Sequence, residues 1–287
     1  MSLPESEIFE LKLRAELEPD NLPVLLELGA ACERAGLDED AQRAFARALA
    51  LDPGHPLARR GRLDYFLRRY GETAAKGDAY ARAAIVHQVS ELRDRYAVPW
   101  LLSLLDGAEP AVCQKAAEAL GKLGDRAAVP ALIRVLRSDA ACAWWQAAEA
   151  LGAIGDRATV PPLVATLAEG SSNARCAAAH ALGLLGDPAA AAGLAEALAR
   201  GDPPLRRAVA EALGRLKAPR AAPALAAALD DPDPQTREAA AASLGELAGE
   251  SFHPSPFASA HRQARRWWEK SGRFRQWDEP AAKEPSP

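Results

Sequence analysis

The sequence predicts an all-α protein built as an α-solenoid, a stack of helical hairpins. The first observation is composition: 49% of the 287 residues are hydrophobic but only 6% are aromatic, so alanine and leucine supply most of the apolar surface. Alanine has the highest helix propensity, whereas strands favour β-branched and aromatic residues. The second observation is a pattern that returns every 31 residues, which is typical of stacked helical repeats.

The repeat is visible directly in the sequence. Residues 116–132 read AAEALGKLGDRAAVPAL, and residues 147–163 read AAEALGAIGDRATVPPL. The match continues in both directions and gives five units between about residues 97 and 249. One glycine of each unit follows a leucine at the same spacing: Gly121, Gly152, Gly183, Gly214 and Gly245.

Each unit divides into two helical stretches. The first carries an apolar stripe at helical spacing, as in Val129, Leu132, Ile133 and Leu136, and the second runs up to the Leu-Gly pair. We expect this glycine region to end the second helix. A single hairpin can hide its apolar stripe only against a neighbour, so the units are expected to stack.

These residues resemble HEAT repeats of the short bacterial type first associated with phycobilin lyase subunits. The likeness rests on the pattern A-x-x-A-L-G-x-L-G-D-x-x-A-V-P-x-L and on three equivalent arginines, Arg175, Arg206 and Arg237. The resemblance implies that these arginines form a ladder with turn aspartates, Asp202, Asp231 or Asp233. It specifies no function, because one fold serves many unrelated tasks.

The N-terminal residues follow a different pattern. Counting Leu22 as position 1 of a 34-residue unit, Leu25, Gly29, Ala41 and Phe45 stand at positions 4, 8, 20 and 24. This resembles a tetratricopeptide repeat. The small Gly29 and Ala41 would let two helices approach, while Leu25 and Phe45 fill the space between them.

The sequence therefore predicts five segments. They are a tetratricopeptide-like module at 1–55, a helical bridge at 56–90, the HEAT-like array at 91–249, a linker with a capping helix at 250–276, and a disordered tail at 277–287. Within them, we expect a helix at 5–18, a turn at 71–78 and a helix at 257–271 with Phe257, Ala260 and Ala264 on one face. The tail lacks large apolar residues, which favours disorder.

Catalytic and metal-binding motifs are scarce. The sequence has no P-loop, dinucleotide-binding, serine-hydrolase or zincin motif, and no histidine is followed by glutamate as in the iron-binding HEAT-fold deoxyhypusine hydroxylases. Cys176 and His180 are four residues apart on one predicted helix, but even with Cys142 they supply only three ligands. We therefore expect a non-enzymatic protein with no catalytic residue, no metal and no cofactor.

A cytoplasmic location is expected. No uncharged apolar run approaches the length of a membrane span, and the acidic start MSLPESEIFE lacks the features of a secretory signal. The four cysteines form no C-x-x-C pair, which fits reduced thiols better than a disulfide framework.

The candidate binding surface lies on the second helices. If Ala147 and Leu151 face the core, Trp145 points away from it, toward the inner ridge of the array. An exposed tryptophan favours a binding site, whereas its neighbour Trp144 could equally fill space between units. Stacking lines up equivalent positions and adds further residues to this surface: Gln114, Glu118, Glu149, His180, Arg207 and Glu211.

Three of these residues share one repeat position and predict an acidic strip beside the tryptophan. They are Glu118, Glu149 and Glu211. A basic or amphipathic protein segment would suit such a strip, because complementary charge orients a partner. The predicted function is a scaffold or adaptor that binds a protein on the concave ridge; an ordinary solvated helix face is the alternative.

Two other functions remain open. The resemblance implies a bilin-lyase-like or other modification-assisting subunit. The C-terminal segment offers a basic patch with an aromatic residue, which would suit nucleic acid: Arg262, Arg265, Arg266 and Trp268. A formal net charge of −4 argues against nucleic-acid binding, and a capping helix explains the same residues.

Overall fold

A computed structural model describes residues 3–75, 78–107, 109–138, 143–252 and 259–271. Within these ranges the regular structure consists of sixteen α-helices and short 3-10 turns, with no strand. The predicted all-α class is therefore confirmed. The chain divides into two compact units, Met1–Leu104 and Leu105–Pro287. The five segment boundaries predicted from the sequence remain a prediction.

The first unit begins with three helices that share one core. Its helices are α1 (Leu3–Leu17), α2 (Leu22–Arg34), α3 (Asp38–Leu51), α4 (Pro56–Ala75), α5 (Ala79–Glu91) and α6 (Val98–Leu105), the last of which ends at the boundary between the units. Leu25 is fully buried, and a side chain on Gly29 would meet the ring of Phe45 at 2.5 Å. Small and large residues thus pack as the sequence predicted, although this does not establish a tetratricopeptide repeat.

The predicted turn at 71–78 starts within a helix, because residues 71–75 are still helical. Helix α4 continues to Ala75, with the hydroxyl of Thr73 donating a hydrogen bond to the backbone oxygen of Arg69 at 2.8 Å. Gly71 stays helical because an isolated glycine weakens a helix without ending it. Asp78 then caps α5 by accepting a hydrogen bond from the backbone N–H of Ala81.

The second unit is the repeat array. Its helices are α7 (Pro110–Leu123), α8 (Val129–Arg137), α9 (Trp144–Ile154), α10 (Val160–Glu169), α11 (Ser172–Leu185), α12 (Ala191–Arg200), α13 (Pro203–Leu216), α14 (Ala222–Ala228), α15 (Pro234–Ala248) and α16 (Ala260–Lys270). The odd-numbered helices α7 to α15 are the second helices of the repeats, and each packs against the next. One leucine from each is fully buried at the same register: Leu120, Leu151, Leu182, Leu213 and Leu244.

A turn of fixed geometry connects most repeats of the array. Asp125, Asp156 and Asp187 each accept a hydrogen bond from the backbone N–H two residues later, at 3.0 to 3.1 Å. Each of these aspartates caps a 3-10 turn that leads into the next helix. The aspartate of the Gly-Asp pair in the sequence pattern therefore has a structural role, because its cap sets the direction in which the next hairpin begins.

The glycines of the Leu-Gly pairs do not end the second helices, contrary to prediction. Gly183 lies inside α11, where a Cβ atom would meet the Cα of Ala212 on α13 at 2.9 Å. The helix ends three residues later, at Gly186 with φ of +62°. The first glycine thus permits close packing between repeats, and the second permits the left-handed cap.

Among the residues that the structure describes, one of the three equivalent arginines forms the arginine–aspartate pair that the family resemblance implies. Arg206 forms two hydrogen bonds with Asp231, at 2.6 and 2.8 Å. Arg175 and Arg237 instead donate to backbone oxygens, those of Leu167 and Asp231 respectively, both at 2.8 Å. All three arginines donate to backbone oxygens just before their own helix, either at the end of the helix before it or in the turn that joins the two helices.

Helix α16 packs on α15, and its Ala260 and Ala264 are buried. Arg265 is held by Asp230 at 2.5 Å and by Glu269 at 3.0 Å. Arg262 and Arg266 are exposed, and Trp268 is half-buried beside Trp267. Phe257 and the predicted tail at 277–287 lie outside the described residues.

Candidate protein-binding surface

Trp145 is the second residue of α9, and its side chain points away from the core. Ala147 and Leu151, on the opposite face of the helix, are fully buried, whereas Trp145 is 42% exposed. Trp144 is half-buried. The register of α9 is therefore the one that the sequence predicted, and it leaves a large aromatic side chain partly in solvent.

The ring of His180 supports this tryptophan. His180, on α11, stacks on Trp145 with 4.1 Å between ring centroids and 26° between ring planes. The Nη1 atom of Arg215, on α13, lies 2.8 Å from the Nδ1 atom of His180. Since an arginine can only donate, Nδ1 accepts, and the ring is neutral with its proton on Nε2. Three successive repeats thus hold one aromatic pair in place.

The electrostatic environment of His180 favours this neutral form. Burial lowers the pKa of His180 below its usual value of 6.5, and the positive charge of Arg215 lowers it further, while Glu149 acts in the opposite direction. Its Nε2 atom is buried and finds no hydrogen-bond partner among the described residues. Protonation would place two cations side by side and remove the hydrogen bond from Arg215.

Acidification below about pH 6.5 is therefore expected to destabilise the array through His180. Because folding lowers this pKa, the unfolded chain binds more protons, so the stabilisation is present above pH 6.5 and is lost as the pH falls toward the lowered pKa. Urea unfolding at about pH 7.5 and pH 5.5 measures the loss. His180→Gln should lose less stability on acidification than the wild type; equal losses would contradict the assignment.

The predicted acidic strip is a surface of mixed charge. Glu118 is paired with Lys115 at 2.7 Å and with Lys122 at 3.3 Å. These lysines hold the pKa of Glu118 below its usual value. Arg215 follows Glu211 by one helical turn, and both are exposed. The prediction from glutamates alone was incomplete, because lysines and arginines of adjacent positions lie on the same face.

An open groove of about 600 Å³ continues this surface between α13 and α15. Its apolar lining includes Ala239 and Ala242. Polar side chains and charged side chains of both signs also line it: Arg207, Glu211, Arg215, Gln235, Glu238 and Glu246. Because Arg215 both lines the groove and contacts His180, the groove and the tryptophan belong to one surface, here called the ridge surface.

The structure brings some predicted residues together and leaves others apart. Trp145, His180 and Glu149 form one cluster, and Arg207 and Glu211 line the groove. Gln114 and Glu118 lie on α7, next to Lys115 and Lys122 and outside the groove. Repeat register alone places Glu238 in one row with Trp145 and Arg207. Sequence reasoning missed three further residues that the spacing along a helix could have indicated: Arg215, Gln235 and Glu246.

The metal hypothesis receives no support from the described residues. Among them, no three histidine, cysteine, aspartate or glutamate side chains are grouped as a metal site would require. Burial raises the pKa of the Cys176 thiol, which disfavours the thiolate that metals bind. Cys142 lies outside the described residues. In the same part of the chain, no helix is both long and apolar enough to cross a membrane.

Comparison with protein families identifies the class of the array. The HEAT-repeat profile matches residues 71–142, 144–207 and 193–255. These matches cover well over half of the chain, so the protein belongs to the HEAT-repeat family. No curated protein matches the sequence.

Several solved structures are similar to this chain. Human deoxyhypusine hydroxylase in complex with glycerol is 23% identical, with a TM-score of 0.38, and the match covers 75% of this chain and 99% of that one. The complex of CpcE and CpcF of phycocyanin lyase from Nostoc sp. PCC7120 is 23% identical over 94% of both chains, with a TM-score of 0.36. A designed armadillo repeat protein is 17% identical over 59% of this chain and 94% of that one, with a TM-score of 0.38. With TM-scores this low, these likenesses carry no conclusion about function.

Proposed function

We propose that this protein is a non-enzymatic scaffold or adaptor that binds a protein partner on the ridge surface. The observation that carries the proposal is the half-exposed Trp145, stacked on His180 and joined through Arg215 to the groove. Aromatic residues held rigidly beside a concave surface are common binding anchors, because they lose little conformational freedom when a partner covers them.

The charges of the ridge surface define the partner more closely. The groove is lined by Ala239 and Ala242 and by both arginine and glutamate side chains. A purely basic segment would meet Arg207 and Arg215 unfavourably. We therefore propose an amphipathic helix whose apolar side covers the two alanines and Trp145, and whose polar side carries both signs of charge.

Trp145→Ala is expected to weaken partner binding by about 2 kcal/mol or more, roughly thirtyfold. The partner would first be captured from an extract of the native cell with the wild-type protein and identified. Its affinity for purified variants would then be measured by calorimetry. Tyr96→Ala is a matched control, because Tyr96 is a 73% exposed aromatic residue in a 3-10 turn of the first unit, whereas the ridge surface belongs to the second.

Charge reversal of one glutamate should have a smaller effect than loss of the tryptophan. Glu211→Lys should change mainly the association rate and its dependence on salt, because rim charges steer encounter more than they hold a complex. If Trp145→Ala binds normally and removal of residues 257–276 abolishes capture, the binding surface is the basic cap. A bilin that co-purifies with the protein would favour the lyase-like alternative instead.

A further inference from the structure

A second concave site lies in the first unit, separate from the ridge surface. It is a groove of about 480 Å³ among helices α3, α4 and α5. Its lining includes Arg62, Tyr65, Phe66, Arg69 and Glu91. Its volume falls within the range of small-molecule sites, which is about 300–1,000 Å³.

Arg62 distinguishes this groove from an ordinary surface depression. Its side chain is half-buried, and its guanidinium lies over the ring of Phe66 at 5.8 Å from the centroid. Its Nε atom is buried without a hydrogen-bond partner, and no ion pair joins Arg62 to the residues that the structure describes. A cation removed from water without an anion is unfavourable, so this site gains from a negatively charged ligand.

The remaining lining narrows the chemistry of that ligand. Arg69 donates a hydrogen bond to the hydroxyl of Tyr65 at 2.8 Å, which orders a second guanidinium at the groove. The rings of Tyr65 and Phe66 contact each other edge-on and give the groove an aromatic wall. Glu91 is the one carboxylate in the lining, so two arginines face one acid.

We propose that this groove binds a small organic acid that carries one carboxylate on an aromatic or apolar body. The planar guanidinium of Arg62 can donate two parallel hydrogen bonds to a carboxylate, and the aromatic wall would cover the body of the ligand. A single negative charge balances the two arginines and Glu91. The site is independent of the protein partner proposed above, because every lining residue lies in the first unit.

Benzoate is a suitable probe, with benzamide as its uncharged counterpart and phenyl phosphate as a probe of higher charge. Titration of the full chain, followed by ligand-observed NMR, should show saturable binding of benzoate at least about tenfold tighter than that of benzamide, because charge-assisted hydrogen bonds are the stronger ones. Equal binding of the two, or no saturable binding of benzoate, would overturn the proposal. Tighter binding of phenyl phosphate would overturn the choice of a singly charged acid.

Two variants separate this site from a structural role of Arg62. Arg62→Met should reduce benzoate affinity at least about tenfold without lowering the melting temperature, because no ion pair is lost. Arg62→Lys keeps the charge but lacks the planar fork, and should also bind more weakly. Arg60→Met is the matched control, since Arg60 lies on the same helix with a 75% exposed side chain. Unchanged benzoate binding by both Arg62 variants would refute the site.

Discussion

Gly183→Val is expected to destabilise the repeat array by about 3 kcal/mol, at the upper end of overpacking effects. A Cβ atom at Gly183 would lie 2.9 Å from the Cα and 3.3 Å from the carbonyl oxygen of Ala212. These are backbone atoms of a buried helix, so the clash can be relieved only by moving α11 and α13 apart. Urea unfolding followed by circular dichroism measures the loss.

Gly152→Val provides the matched comparison. At this equivalent position the nearest atom to the new Cβ would be the Cβ of Leu184, at 2.5 Å. The backbone fixes that Cβ atom, so rotation of the leucine side chain cannot relieve the clash, and the expected loss is similar, about 3 kcal/mol. Gly183→Ala adds a third test. Alanine has a higher helix propensity than glycine, so any loss of stability in this variant must come from packing. Equal stability of Gly183→Val and the wild type would show that the repeats do not pack as closely as described.

The architecture of the array could be predicted because it depends on short-range signals that recur. The Leu-Gly pair, the turn aspartate and the apolar stripe act within a few residues, and the period places them in register. The outward direction of Trp145 followed from helical geometry for the same reason. The sequence left the role of the Leu-Gly glycine open between backbone geometry and close packing, because both glycines of the pattern fit a helix end. Only the distance to Ala212 distinguishes packing from capping.

Which arginine pairs with which aspartate could not be predicted, because a long side chain can reach several partners. Arg175, Arg206 and Arg237 share one repeat position, yet only Arg206 meets a carboxylate among the hydrogen bonds described above. Burial could not be predicted either. Nothing in the sequence distinguishes the half-buried Arg62 from the exposed Arg60 two residues earlier. Such differences arise from rotamers and burial, which the packed structure determines.

Asp231→Asn should cost about 3 kcal/mol of stability, which is typical when one partner of a buried ion pair is removed. Asp231 and Arg206 form two hydrogen bonds, and their side chains are only 8% and 15% exposed. The amide would face the guanidinium with an N–H donor and leave a buried cation without its anion. Urea unfolding of the variant at neutral pH measures this loss.

Asp106→Asn is the control, because the Asp106–Arg134 pair has the same two-pronged geometry but side chains 65% and 58% exposed. Water replaces a lost surface pair, so this change should cost at most about 1 kcal/mol. Acid gives a second readout. The hydrogen bond from Arg206 lowers the pKa of Asp231, so its stabilisation is present above the pKa of an unfolded aspartate and is lost as the pH falls toward the lowered value. Asp231→Asn removes this titration, and should therefore lose less stability than the wild type between neutral pH and about pH 3. If both asparagine variants had the same small effect, burial of the Arg206 pair would contribute nothing to the array.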